Sequence, residues 1–311
     1  MANSRAVLAI VGPTATGKSA LALRLAAELD GEIVSADSRQ VYRRMDIGTA
    51  KPTPDQLSAV RHHLVNVVDP DEEYSLALFL EQARFAVADI HERQRLPIVV
   101  GGTGQYVWGL LEGWQTPKVA PEAGLRHELN ERLATGGLNS LVNELLTLDP
   151  KAAERVDRRN PRRVVRALEV ARTGRAAGPP RKESPPWPVV TVGLTLDRAA
   201  LNRRIHERVD AMIALGWVGE VDTLLTAGYG LALPSMSGLG YREIAQHIQG
   251  ETSLDEAVDE VKRRTWRFAR KQYAWFKTDD ERISWFDVTS SGLNLASEHA
   301  ISRMAVLTQG T

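Results

Sequence analysis

Gly12-Pro13-Thr14-Ala15-Thr16-Gly17-Lys18-Ser19 is the stretch that decides how this chain folds. It fits G-x-x-x-x-G-K-[ST], follows an apolar run at 6–11, and opens a helical period expected over 19–29 that stops at Gly31. A strand, a glycine turn and a helix in that order build an anion site. The glycines let backbone N–H groups converge on phosphate oxygens, and the helix N-terminus adds a favourable dipole. Lys18 supplies a point charge, and the Ser19 hydroxyl can hold Mg²⁺. The alternative is a glycine-rich turn with no ligand. The loop implies a di- or triphosphate without saying which compound carries it.

Outward from this loop, short β-branched runs alternate with helical periods. Strands are expected at 6–11, 32–36, 63–68, 97–100 and 189–196, with an amphipathic helix over 76–93. That alternation predicts an α/β fold, a P-loop NTPase-like parallel sheet flanked by helices. Between the fourth and fifth strands the pattern changes to helices alone, closing in the proline-rich stretch Pro179, Pro180, Pro185, Pro186 and Pro188. We therefore expect residues 1–120 and 187–311 to form the catalytic core and 121–186 an all-helical insertion domain. A long helix is expected over 254–276.

The 311 residues are 43% hydrophobic and 25% charged, with 39 basic and 39 acidic residues. This is globular composition, and it excludes disordered, collagen-like or coiled-coil chains. No apolar run approaches the roughly 18–20 residues of a membrane span. The apolar N-terminus is interrupted by Lys18 and lacks a cleavage site, so no signal peptide is expected. With no cysteine, a disulfide, a thiolate zinc site and a Cys nucleophile are all excluded. The chain reads as soluble and cytoplasmic. Its zero net charge is uneven: 155–182 holds ten basic and two acidic residues, and 261–278 holds seven basic and none acidic. Nets of +8 and +7 on a neutral chain suggest local contact with a polyanion, the alternative being solvated faces paired with nearby acids.

Three further features belong with the phosphate loop. Asp37, in Ser35-Ala36-Asp37-Ser38-Arg39-Gln40, comes after the second strand. In an open α/β sheet ligands lie beyond the strands' carboxyl ends. Asp37 can serve there as a metal carboxylate or a general base; it could also simply cap the next helix. Gly101-Gly102-Thr103-Gly104 comes after the fourth strand and lets backbone approach a ligand beside the Thr103 hydroxyl. Asn160-Pro161-Arg162-Arg163-Val164-Val165-Arg166 groups three arginines on one helical face. Arg263, Arg267, Arg270 and Lys271 form a second stripe beside Trp266, Tyr273, Trp275 and Phe276. Basic stripes with aromatics suit phosphate tracking and base stacking, although such aromatics are often core.

Taken together, Gly12–Ser19, Asp37 to Tyr42, Met45-Asp46-Ile47-Gly48-Thr49-Ala50-Lys51-Pro52 and the run from Gly101 to Tyr106 closely resemble the tRNA dimethylallyltransferases, also called tRNA isopentenyltransferases. Asn160 to Glu169, Gly216-Trp217-Val218, Gly240-Tyr241-Arg242-Glu243 and Arg270-Lys271-Gln272 match the same family in the same order, over nearly the whole chain. The resemblance implies transfer of a dimethylallyl group from dimethylallyl diphosphate, with Mg²⁺, to the exocyclic amine of the adenine 3′-adjacent to the anticodon. It implies that Gly12, Pro13, Thr14, Ala15, Thr16, Gly17, Lys18 and Ser19 cradle the donor diphosphate. Asp37 would be the general base, Thr103 would bond near the reacting centre, and Arg208 would meet the diphosphate. Contacts to the tRNA anticodon stem-loop are implied for Asp37, Ser38, Arg39, Gln40, Thr103, Arg126, Arg162, Arg163, Val164, Val165, Arg166 and Arg242. A monomer that touches no membrane is the simplest expectation.

Arg44 stands where that family usually has glycine, Gln105 where it has leucine, and Ser237 where some members have a basic residue. Without cysteines the chain resembles the bacterial form, which lacks a zinc finger. The rivals are a small-molecule P-loop kinase, an isopentenyltransferase acting on free adenine nucleotides, and an RNA-binding module with a vestigial phosphate loop. The first two need no basic insertion. The third leaves Lys18, Ser19, Asp37 and Thr103 unexplained.

Overall fold

The structure is a computed structural model that describes residues 5–115, 122–173, 181–183 and 187–309. Along the chain, β1 (Val7–Val11) leads through the phosphate loop into α1 (Lys18–Glu28) and β2 (Gly31–Ser35). Then come α2 (Pro54–Ala59), β3 (His62–His63), α3 (Leu76–Glu92), β4 (Leu96–Val100) and α4 (Gly104–Leu111). Next are β5 (Trp114–Gln115), α5 (Ala123–Leu148), α6 (Pro150–Arg155), α7 (Pro161–Arg172) and β6 (Arg181–Lys182). The chain returns through β7 (Val189–Thr195) to α8 (Arg198–Ala214), α9 (Trp217–Thr226), α10 (Tyr241–Ile248), α11 (Leu254–Gln272), β8 (Ile283–Asp287) and α12 (Gly292–Gln309).

One sheet runs β3-β2-β4-β1-β7-β8 with every pairing parallel. All five residues of β1 are buried, as a central parallel strand covered on both faces requires. Leu8 and Ile10 pack with Leu21 and Leu25 of α1, Ile98 of β4 and Val192 of β7. With β1 central, the phosphate loop leaves the carboxyl edge between the loops after β4 and β7, where ligands of such sheets collect.

Two compact units result, one within 1–112 and 184–311, the other within 113–183. The second starts earlier than the expected residue 121, and it is not purely helical. β5 pairs antiparallel with β6, Trp114 opposite Lys182 and Gln115 opposite Arg181, and this ladder draws residues 113–115 into the unit. Pro179, Pro180, Pro185 and Pro186 lie outside the described residues. Within the unit, α5 breaks at Gly137 (φ 72°, ψ 170°), and its segments pack Leu129, Leu141 and Leu145 against Val164, Val165 and Leu168 of α7.

Other expectations are corrected by local backbone. The strand expected at 63–68 shrinks to His62–His63 plus a bridge between Tyr42 and Val68, because Leu64 (φ 63°) and Asn66 (φ 56°) are left-handed and cannot stay in a ladder. α11 ends at Gln272 rather than 276. β8, at the sheet edge beside β7, has no counterpart among the expected strands.

Candidate active site

The phosphate loop takes its shape from its own residues. Gly12 has φ 131°, and a Cβ there would overlap the Leu194 carbonyl of β7. Thr16, fully buried, donates from its hydroxyl to Pro13 O at 2.9 Å, and Gly17 caps α1 in the left-handed region. The Thr14 N–H donates to Gln272 Oε1 at 2.8 Å, while Gln272 Nε2 donates to Gly102 O at 2.9 Å. One buried amide from the end of α11 thus ties the phosphate loop to the glycine loop after β4. Ser253 and Glu256 form a capping box at the start of α11, and Arg270 and Lys271 in its last turn oppose the helix dipole.

Lys18, Ser19, Asp37, Gln40, Arg208 and Gln272 share a cavity of about 200 Å³ with Thr14, Gly101 and Gly102. That is below the roughly 300–1,000 Å³ of sites for drug-sized molecules. Lys18 Nζ rests 2.6 Å from Pro13 O. Burial pulls its pKa down to about 7; the Arg208 charge pulls the same way and the Asp37 charge opposes both. Burial also lowers the pKa of Arg208, which α8 carries in, and Asp37 again opposes. Two half-buried cations face a single carboxylate, an arrangement complementary to a polyanion.

Asp37 Oδ1 accepts the Arg39 N–H at 2.8 Å, closing an Asx turn after β2. Thr103 Oγ1 accepts the Ser38 N–H at 3.1 Å, so the loops after β2 and β4 meet at these two residues. The expected constellation of Lys18, Asp37, Thr103 and Arg208 is brought to one sheet edge. Ser19 is exposed at the start of α1.

The expected RNA contacts divide. Arg162 and Arg163 are exposed on α7, and Arg242 is exposed on α10. Val164 (0% exposed) and Val165 (5%) instead fill the core of the second unit, so their side chains pack and do not reach a ligand. Arg126 pairs with Glu169 at 2.7 Å and Arg166 with the same carboxylate at 3.0 Å. That buried Glu169 holds α5 to α7; burial pushes its carboxyl pKa up, but the hydrogen bonds and charges of Arg126 and Arg166 together bring it below the usual range. Arg39 donates to the carbonyls of Pro234 (2.8 Å) and Ser235 (3.3 Å) and to the Ser237 hydroxyl (3.3 Å), which fixes a turn after α9. Gln40 is likewise engaged within the protein. Arg44, where the resemblance leads one to expect glycine, has φ 64°, the conformation glycine adopts freely.

A family model described as IPP transferase matches residues 40–279, and one described as isopentenyl transferase matches residues 5–68. The chain belongs to the IPP transferase family. A tRNA dimethylallyltransferase of Roseiflexus sp. (strain RS-1) is 52% identical over 273 residues, covering 87% of this chain and 90% of that one. A tRNA dimethylallyltransferase of Herpetosiphon aurantiacus is 49% identical over 280 residues, 89% of each chain. Among solved structures, the full-length tRNA isopentenylpyrophosphate transferase of Bacillus halodurans is 36% identical with a TM-score of 0.73, covering 98% of this chain and 99% of its own. A eukaryotic dimethylallyltransferase acting on tRNA is 26% identical with a TM-score of 0.80, over 97% and 80% of the respective chains. In this member of the IPP transferase family, sequence reasoning assigned no role to Gln272 or Glu220. Gln272 lay inside the matched run Arg270-Lys271-Gln272, and Glu220 stands just after the matched run Gly216-Trp217-Val218. Spacing alone gave neither a partner.

Proposed function

We propose that this chain transfers a dimethylallyl group from dimethylallyl diphosphate to the exocyclic N6 amine of the adenosine 3′-adjacent to the anticodon, in tRNAs reading codons that begin with U. The observation that carries the reading is the cavity in which half-buried Lys18 and Arg208 face Asp37. Family membership supports the reaction class. The same reading has the chain act as a monomer in the cytoplasm. Among the described residues no helix is long and apolar enough to cross a membrane.

The amine nitrogen attacks C1 of the allylic group, the C1–O bond breaks, and the electron pair leaves on the diphosphate. Lys18 and Arg208 stabilise that growing negative charge from fixed positions in the cavity. The Asp37 carboxylate takes the proton the amine loses, which helps a weak nucleophile as the new bond forms. The Thr103 hydroxyl, which accepts the Ser38 N–H, orients the amine in this reading. Reaching this cavity requires the adenine to leave its stack, at lower cost in a single-stranded loop than in a duplex.

Mg²⁺ fits the donor set. It keeps several waters and takes one or two protein carboxylates plus substrate phosphates. The exposed Ser19 hydroxyl at the start of α1 would add one protein oxygen beside a bound diphosphate, with Asp37 the carboxylate lining the same cavity. Among the described residues no group of three or more His, Asp or Glu forms a protein-only cage. When bound, the ion would neutralise charge on the leaving diphosphate.

The test is a transfer assay with dimethylallyl diphosphate, Mg²⁺ and tRNA, read by mass spectrometry of the digested nucleosides, with AMP and ATP as parallel acceptors. We expect a dimethylallyl increment on adenosine from tRNA only. Asp37→Ala should lower kcat at least about a hundredfold while tRNA affinity stays within twofold. Transfer to free nucleotide would redirect the acceptor assignment, and equal loss of turnover and tRNA affinity would remove Asp37 as base.

A further inference from the structure

The run Met45 to Pro52 is one of the stretches that carry the family resemblance, and the chemistry above makes no use of it. It forms a tight loop in which Thr49 Oγ1 donates to Met45 O (2.6 Å), Lys51 N–H donates to Asp46 O (3.0 Å), and Ala50 sits at φ 47°. A single carboxylate holds it from outside. Glu220, in the first turn of α9, accepts the N–H groups of Asp46 and Ile47 on Oε2, both at 2.7 Å, and that of Gly48 on Oε1 at 3.2 Å. The Tyr241 hydroxyl donates to Oε1 at 2.7 Å, so both carboxylate oxygens are shared among four donors. On the other side, Gln40 Nε2 donates to the carbonyls of Thr49 (3.3 Å) and Ala50 (3.1 Å), and Gln40 Oε1 accepts from Ser35 Oγ (3.0 Å). Ala50, Pro52 and Gln40 then line the cavity.

The position of this wall constrains its role. The diphosphate belongs at the loop after β1, and the acceptor amine at Asp37 and Thr103, after β2 and β4. The carbon being transferred lies between them. The apolar lining open to the rest of the hydrocarbon is Leu23, Ile33, Val100, Phe268 and, from this loop, Ala50 and Pro52. We infer that this wall receives the dimethylallyl hydrocarbon and that Glu220 is the positioning residue that fixes it, an inference resting on the prenyl-donor reading above. The wall cannot shift without breaking several hydrogen bonds at once, so it limits the conformers of the bound allylic group and presents C1 to the amine.

The experiment is titration calorimetry of the full chain with Mg²⁺, using dimethylallyl diphosphate and inorganic diphosphate as separate probes. Glu220→Gln should weaken the allylic donor about tenfold and leave inorganic diphosphate within about twofold, with an unchanged KM for tRNA. Pro52→Ala, which leaves the Glu220 contacts in place, should shift the same ratio in the same direction by less. Equal weakening of both ligands by Glu220→Gln would overturn the inference, since Glu220 would then only support the fold. No change in either ligand would overturn it too. Failure of the unsubstituted chain to bind either ligand would overturn the prenyl-donor reading itself, and the inference with it.

Discussion

Lys18 is the residue whose chemistry depends most on its surroundings. In sequence it is one cation among 39. In the folded chain burial and Arg208 bring its pKa down to about 7, so near neutral pH it is only partly protonated until an anion arrives. A bound diphosphate favours the charged form and raises that pKa. Above pH 7 binding must therefore take up a proton, and affinity for dimethylallyl diphosphate should fall by up to about tenfold per pH unit from this group. Calorimetry at pH 8 in two buffers of different ionisation enthalpy measures the uptake. Lys18→Met should bind more weakly and without that component; an identical uptake in Lys18→Met would place the proton elsewhere. Asp37 and Thr103 were recognisable from their positions after apolar runs, because a strand's carboxyl end is legible. Val164 and Val165 turn their side chains into the core of the second unit, which the motif does not reveal because it does not say which side of its helix faces the core.

At the scale of elements, α11 couples what the sequence presents as separate motifs. Phe268, Gln272 and Trp275 recur at helical spacing along α11 and the turn after it. Phe268 borders the cavity, Gln272 bridges the Thr14 N–H and the Gly102 carbonyl, and Trp275 packs against Gly104. Gln272→Leu keeps the volume and strands one donor and one acceptor, each costing about 1–3 kcal/mol when buried. We expect kcat/KM for the donor to drop by about tenfold or more and the melting temperature to fall, measured by steady-state kinetics and calorimetry. Retention of kcat/KM within twofold would mean that the two loops hold their shape unaided. β1, β2, β4 and α3 were legible because burial on both faces leaves continuous apolar runs and an amphipathic helix leaves a clear period. β3 and β8 were not. Two residues of strand carry no period, and Ile283–Asp287 is half-buried at an edge, where polar and apolar residues mix.

For the whole molecule, the basic segments were visible in composition, but their division of labour was not. Glu169 neutralises Arg126 and Arg166 inside the second unit, while Arg162 and Arg163 stay exposed on α7. Replacing Arg162 and Arg163 together with alanine should weaken tRNA binding and reduce the slope of log Kobs against log salt by about 2, at roughly 0.9 for each phosphate no longer neutralised. Filter binding across a salt series measures it, and an unchanged slope would show that α7 does not touch the phosphate backbone.

The sequence by itself determined the parallel sheet, the phosphate loop on its central strand, and the family, because these rest on local periods and on contiguous motifs. Only the tertiary structure decided which arginines are free, which carboxylate holds the Met45 to Pro52 loop, and which amide joins the phosphate loop to the glycine loop. Thr14 and Gln272 are 258 residues apart in the chain, and Glu220 lies 172–174 residues from the amides it binds. Contacts at such separations leave no periodic signal, since they exist only once the sheet has brought its carboxyl-edge loops together.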